Sequence, residues 1–205
     1  MQIEQINKNM YNINGLDNIT LLKELFELFN INVKINNKNL VITTSKSINT
    51  FNEWQSKLVH PKIEYSNAEQ IYKNLALISL YLEKNRLQLS HLNPADIIVI
   101  NGTHFIPTNT EDLYTINNSN ITVNRPYSRD NKYLSLELKN NNNIPFTVSF
   151  KCFYASVALL VYDLLIGLEE PDYQKGLLVI YMTKLYWMLH YSLLANIEDR
   201  LIVNI

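Results

Sequence analysis

At 205 residues, 47% hydrophobic and 18% charged, the chain carries enough apolar material for one sizeable core or two small lobes sharing one, and it is neither a disordered tail nor a disulfide-rich scaffold. Its formal net charge is −1, with Lys and Arg scattered along the sequence, so there is no basic field to attract a phosphate backbone and nucleic acid is not expected as a primary partner. One cysteine, Cys152, cannot close an internal disulfide, and the opening MQIEQINKNM lacks the apolar run of a signal peptide, so a reducing, intracellular location is the expectation.

From Leu16, LDNITLLKELFELF places Leu21, Leu22, Leu25, Phe26 and Phe29 on one stripe at helical spacing, with Asp17 or Asn18 available as N-cap. INVKI (Ile31 to Ile35) and NLVITT (Asn39 to Thr44) alternate as strands do, and Asn36, Asn37 and Lys38 between them have the chemistry of a hairpin turn. The first 45 residues thus read as helix, strand, strand. SINTFNEWQSKLV predicts a short helix, broken at Pro61, and a stronger helix starts near Ser66, where SNAE has the spacing of a capping box. Ile71, Leu75, Ile78 and Leu82 mark its buried face as far as about Asn85.

Beyond that helix, DIIVI and HFI are short apolar runs joined by Asn101-Gly102, a strong hairpin signal. Thr110 to Asn131 reads as polar and irregular with one strand at ITV, a length usual for functional or mobile loops. YLSLEL follows, then NNNN at Asn140 to Asn143, which suits a solvated loop. FYASVALLVYDLLIGL, from Phe153, is apolar nearly all round, which predicts a helix buried at the centre of the fold, stopped by Gly167 with Pro171 after it. A last helix is predicted from about Met182 through Leu194. LYWMLHYSLLANI, from Leu185, falls short of the roughly 18 to 20 residues of a membrane span, so no membrane association is expected.

His60, His104 and His190 are too dispersed for a zinc site, and Cys152 has no partner at a useful spacing, so no metal is expected. Tyr181, Tyr186, Trp187 and Tyr191, at helical spacing beside leucines, read as core packing rather than a ligand platform.

Several strings, in this order, resemble the protein kinase fold. FYASVALLVYDLLIG aligns without gaps onto the kinase central helix, of the form DVWSLGVILYELLTG, with Ser156, Tyr162, Leu164, Leu165 and Gly167 on pattern and Asp163 in place of the usual glutamate. YLSLEL resembles the YxAPEL segment that closes the activation segment, and LLANIEDR resembles LxxDPxxR, which implies an ion pair between Glu137 and Arg200. LSHLNPADI aligns with the catalytic loop HRDLKPEN, where Leu92, Pro94 and Ile97 keep the scaffold. The likeness covers about residues 17 to 204 and resembles the divergent kinase-like proteins of large DNA viruses.

The resemblance implies an α+β, protein-kinase-like chain: a reduced N-lobe remnant, helix plus two strands, at 1–46, and a mostly helical C-lobe at 47–205. Phosphoryl transfer needs a base, metal ligands, a phosphate-binding lysine and a covering glycine loop. Here the catalytic aspartate falls on His91, the metal-binding asparagine on Asp96 and the DFG aspartate on Asn109, a neutral and weaker ligand for a hard cation. The chain's four glycines make no GxGxxG, and only about 16 residues precede the first helix, too few for three strands. Phe153 replaces the aspartate that braces the catalytic loop in kinases, so that brace reads as lost.

His91 as a substitute base competes with a loop histidine making local hydrogen bonds, and Asp96 with Glu111 reads as a solvated acid pair rather than a cation site. No cofactor is expected. The resulting reading is a catalytically inactive kinase-like domain, a pseudokinase, that binds another protein through its C-lobe surface or the Thr110 to Asn131 segment. Two alternatives stand beside it: an atypical ATP-dependent phosphotransferase using His91, Asp96 and Asn109, and a structural or assembly protein reusing the fold.

Overall fold

Two strands precede the first helix, where the sequence predicts none. β1 (Gln2–Asn7) and β2 (Met10–Asn14) form an antiparallel hairpin in the computed structural model, which describes residues 1–37, 39–58, 62–168 and 173–203. β1 is exposed at every position but Ile3, and β2 buries only Tyr11 and Ile13, so the hairpin offers too few apolar residues to mark it as a strand pair in the sequence. With it, the N-terminal part is more than a helix and two strands.

Helix α1 (Ile19–Glu27) is capped by Asn18, whose side chain accepts a hydrogen bond from the Leu21 amide at 3.1 Å, and it buries Leu21, Leu22, Leu25 and Phe26. Phe29 falls beyond its end and is half-buried. β3 (Asn32–Asn36) and β4 (Asn39–Thr43) pair antiparallel, with Asn37 in the left-handed region between them; Lys38 lies outside the described residues. β5 (Ile48–Thr50) leads into α2 (Phe51–Ser56), which opens on a capping box between Thr50 and Glu53. His60 and Pro61 lie outside the described residues.

The capping box expected at Ser66 is not formed. α3 (Tyr65–Lys84) begins one residue earlier, with Glu64 as an N-cap that makes no side-chain bond, so Ser66 sits inside the first turn. Glu69 pairs with Lys73 one turn on, at 2.7 Å. β6 (Leu87–Leu89) and a 3-10 turn (Pro94–Asp96) then lead into the hairpin of β7 (Ile97–Ile100) and β8 (His104–Pro107). Asn101 and Gly102 take positive φ values of 55° and 71° at its turn, as an Asn-Gly pair can at little cost.

The segment from Thr110 to Asn131 is more regular than its polarity implied. It holds β9 (Leu113–Thr115), paired with β6, and β10 (Asn120–Val123). After α4 (Leu136–Asn140) comes β11 (Phe146–Ser149), the partner of β10. β10 is the strand expected at ITV, whereas β9 and β11, three or four residues long with partners distant in sequence, leave no local signal. α5 (Cys152–Leu165) is buried at every residue except Asp163 and Leu165, and Gly167, at φ 100°, turns the chain out of it; Pro171 lies outside the described residues. α6 (Tyr173–Leu177), a 3-10 turn (Leu178–Ile180) and α7 (Lys184–Ser192) complete the main elements, followed by a short turn at Ile197–Asp199.

The fold is thus mixed α+β with small antiparallel sheets, and its contacts divide it into two units. The first comprises 1–57 and 93–111. It holds the sheet β1-β2-β4-β3, against which α1 packs, and the sheet β5-β7-β8, where Phe51, Trp54 and Phe105 meet edge to face. The second comprises 58–92 and 112–205, with α3, α5 and α7 packed on one another. Here the Tyr72 hydroxyl donates to the Met188 carbonyl at 3.1 Å and lies 2.7 Å from the Ser192 hydroxyl, so this buried phenol is satisfied. Among the described residues no helix is long and apolar enough to cross a membrane.

Candidate functional site

His91 belongs to the second unit, in the loop after β6. Its side chain is buried, and Nδ1 lies 2.8 Å from the Ser90 hydroxyl while the ring tilts against Tyr127. Burial lowers its pKa to about 4, so the imidazole is neutral at pH 7. Asp112, in the turn just before β9, places Oδ2 3.7 Å from Nε2; with a neutral ring and a distance beyond hydrogen-bond length, this is not an ion pair. A base so weak, and engaged with its own neighbour, has little capacity to take a proton from a hydroxyl at neutral pH. Asp112 was not singled out in the sequence, because nothing local ties it to a residue 21 positions earlier.

Asp96 and Asn109 belong to the first unit, and there the structure brings them together. Asp96 Oδ2 accepts from the Asn93 amide group at 2.8 Å and from Asn109 Nδ2 at 3.3 Å, while its carbonyl accepts from the Thr108 amide and hydroxyl at 2.7 and 2.8 Å. Asn109 Oδ1 in turn accepts from the Glu111 amide at 2.8 Å. These bonds tie the end of β8 back to the turn before β7. The Asp96 and Asn109 side chains thus serve each other and the local backbone, and the described residues hold no cluster of three or more His, Cys, Asp or Glu that could ligate a metal.

The backbone around His91 is held by side chains other than the one at position 153. Phe153 is fully buried, but Ser156, one turn along α5, accepts the Leu92 amide at 2.8 Å. Cys152 donates to the Ser90 carbonyl at 3.3 Å, and Asn131 Nδ2 donates to the Leu92 carbonyl at 2.7 Å. Three side chains therefore fix the backbone of residues 90–92, by small polar groups that each contact one peptide unit. Burial pushes the Cys152 thiol up to about 12, with Glu137 adding to the effect, so it is a structural donor and not a nucleophile.

Glu137, in the first turn of α4, and Arg200, after the last turn, form a two-point pair. Arg200 Nη1 donates to Oε2 at 3.0 Å and Nη2 to Oε1 at 2.8 Å, while Nε donates to the Leu194 carbonyl at 2.8 Å. Arg200 is only 3% exposed. Burial alone would raise the Glu137 carboxyl, but the hydrogen bonds and charge of Arg200 outweigh it and hold the pKa below the ordinary value.

Asp163, near the end of α5, accepts from the Tyr133 hydroxyl at 2.7 Å and lies 2.6 Å from Lys132 Nζ, which anchors the segment before α4 to α5. A polar cleft of about 280 Å³ in the second unit is lined by Leu113, Tyr114, Thr115, Asn117, Thr122, Asn124 and Arg125, and not by His91, Asp96 or Asn109. No protein-family model matches the chain, and no curated protein is significantly similar to it in sequence.

Proposed function

We propose that the chain is a catalytically silent, protein-kinase-like module whose work is to bind another protein. The observation that carries the silent part is His91: the residue at the position of the catalytic aspartate is a buried, neutral imidazole committed to Ser90. Asp96 and Asn109, at the metal-binding positions, are likewise committed to each other. The kinase likeness is supported by the order of elements: a long helix, a braced loop, a small hairpin, an apolar central helix, and a Glu137–Arg200 pair between the segments where the resemblance puts it. On this reading the described residues supply no phosphate-holding lysine beneath a glycine loop, and the scaffold is kept for its surface. A single buried cysteine suits a reducing intracellular setting.

The test is a thermal melt with and without Mg-ATP, alongside a radiolabelled phosphate-transfer assay. A ligand at 100 times its Kd adds about 2.7 kcal/mol, which at this chain length moves the midpoint by several degrees. The expected result is an unchanged midpoint and no transfer. A shift accompanied by transfer that H91A, D96A or N109A abolishes would establish the phosphotransferase alternative instead.

A further inference from the structure

The aromatic cluster near the C-terminus is not core. Tyr186 is buried, but Tyr181, Trp187 and Tyr191 are exposed, and the chain beside them exposes Leu178, Val179 (79%) and Met182 (73%). The buried stripe of α7 is made by Leu185, Met188 and Leu189, which leaves Trp187 and Tyr191 on the other side of the helix. Ring contacts join the cluster: Tyr181 meets Tyr186 at 5.1 Å, Tyr186 meets Trp187 at 4.9 Å and Trp187 stacks on Tyr191 at 6.0 Å between centroids. Leu178 and Val179 belong to the 3-10 turn that leads into it and packs on α7. Met182 holds φ at 67°, a left-handed backbone that a long side chain adopts at a cost and that Asn or Gly takes more readily. A strained and exposed methionine is explained by a contact surface and not by a turn that only faces water.

Singly scattered apolar side chains on a surface need no explanation, but a joined group of six, half of them aromatic, does. With the other four residues between 36% and 59% exposed, the six leave roughly 700 Å² uncovered, above the about 300 to 600 Å² of the largest apolar patch on an ordinary monomer. Covering that area with its equal buries on the order of 1,400 Å², inside the range of about 1,200 to 2,000 Å² for stable interfaces. The rim favours neither sign of charge. Lys184 faces Glu69, Glu69 is paired with Lys73, Lys175 and His190 have interaction partners of their own, and Glu169, Glu170 and Asp172 precede the segment in the sequence.

We propose that the face formed by Leu178, Val179, Tyr181, Met182, Trp187 and Tyr191 is the interface of a homodimer, covered by the same face of a second copy of this chain across a two-fold axis. The doubled area is what a stable dimer needs, and homodimer interfaces are the more apolar class, with Tyr, Trp and Met enriched in them. A second copy is present wherever the chain is, so an apolar face of this size need not stand in water. The mixed charges at the rim set up no one-sign field that would repel an identical face or select an acidic or a basic partner. Trp187 and Tyr191 lie one turn apart on α7, the spacing of the ridges by which two helices interlock. The inference does not rest on the kinase likeness: ATP binding would leave it standing, and a monomeric chain would leave the silent reading untouched.

The test is sedimentation equilibrium of the full chain between about 1 and 100 μM. The expected result is a reversible equilibrium between monomer and dimer, weakened at least tenfold by V179S/M182N and by Y191S. All three side chains are exposed, and Asn accepts the left-handed backbone at position 182, so the thermal midpoint of the diluted V179S/M182N chain should not fall, which separates loss of the interface from loss of the fold. In a chain carrying W54F, where Trp187 alone reports, emission should move to the blue in step with the dimer. A chain that stays monomeric at the highest concentration, a dimer indifferent to both variants, or Trp187 emission that does not follow association would overturn the proposal. So would a blue shift of the monomeric chain on phosphatidylcholine vesicles, since that would give the face to a lipid surface.

Discussion

Arg200 grips Glu137 with both terminal nitrogens, across 63 residues of sequence, while its third nitrogen holds the Leu194 carbonyl. The pair ties the short helix α4 to the C-terminal tail. Because Arg200 is almost fully buried, its charge has no water to turn to when its partner is removed.

Removing one partner should therefore cost more than removing both. Glu137→Gln and Arg200→Met are each expected to destabilise the fold by about 3 to 5 kcal/mol in urea unfolding, the range for a broken buried pair. The double variant E137L/R200M should lose clearly less than the sum, because no uncompensated charge remains. Additive losses would mean that the two residues contribute independently and that the pair is not the unit of stability.

Ser156 gives a second, smaller prediction. Its hydroxyl is the partner of the Leu92 amide in the buried loop backbone, so Ser156→Ala leaves that N–H unpaired. A loss of about 1 to 3 kcal/mol is expected, together with faster hydrogen exchange at Leu92 than at amides of α5. An unchanged exchange rate at Leu92 would show that the brace is supplied elsewhere.

Acid should destabilise the protein through His91 before it reaches most carboxylates. Burial lowers the folded-state pKa from 6.5 to about 4, so between those values the unfolded chain binds the proton first. Stability contributed by the neutral ring is complete above pH 6.5 and is lost as pH falls towards 4, at most about 3 kcal/mol. His104, lowered by burial and Lys46, acts in the same direction. Glu83, raised by burial, acts in the opposite one, and Glu137, held low, matters only below its ordinary value of 4.5. The measurement is the difference between the wild type and H91Q across this window, in which the other groups cancel; parallel curves would refute the assignment.

What the sequence made legible was whatever had a local signature. Asn18 as a cap, the Asn101-Gly102 hairpin and the apolar run of α5 each follow from spacing and residue type within a dozen positions. What it hid depended on partners far away. β6 and β9 define each other only after the chain has returned, and β1 carries too little buried surface to announce itself. Among the candidate residues, His91, Asp96 and Asn109 could be named from the resemblance, but the bond of His91 to Ser90, of Asp96 to Asn93 and of Asp96 to Asn109 could not. The aromatic residues of α7 were misread for a related reason: spacing identifies a stripe, and only packing decides which of two stripes faces inward.

Cys152 offers the last test, and it probes the braced loop from the side of chemistry. The thiol is fully buried, its pKa is pushed up to about 12, and its proton is directed at the Ser90 carbonyl. Thiolate is the species that reacts with disulfide reagents, so at pH 8 the native protein should react with a chromogenic aromatic disulfide more slowly than a free thiol by several orders of magnitude. The reaction should proceed only through opening of the structure, and the rate should therefore track stability across the Glu137, Arg200 and Ser156 variants. Prompt labelling of the native wild type, at a rate indifferent to those substitutions, would show that α5 is not sealed against the loop and would remove the physical basis for treating residues 90–92 as fixed.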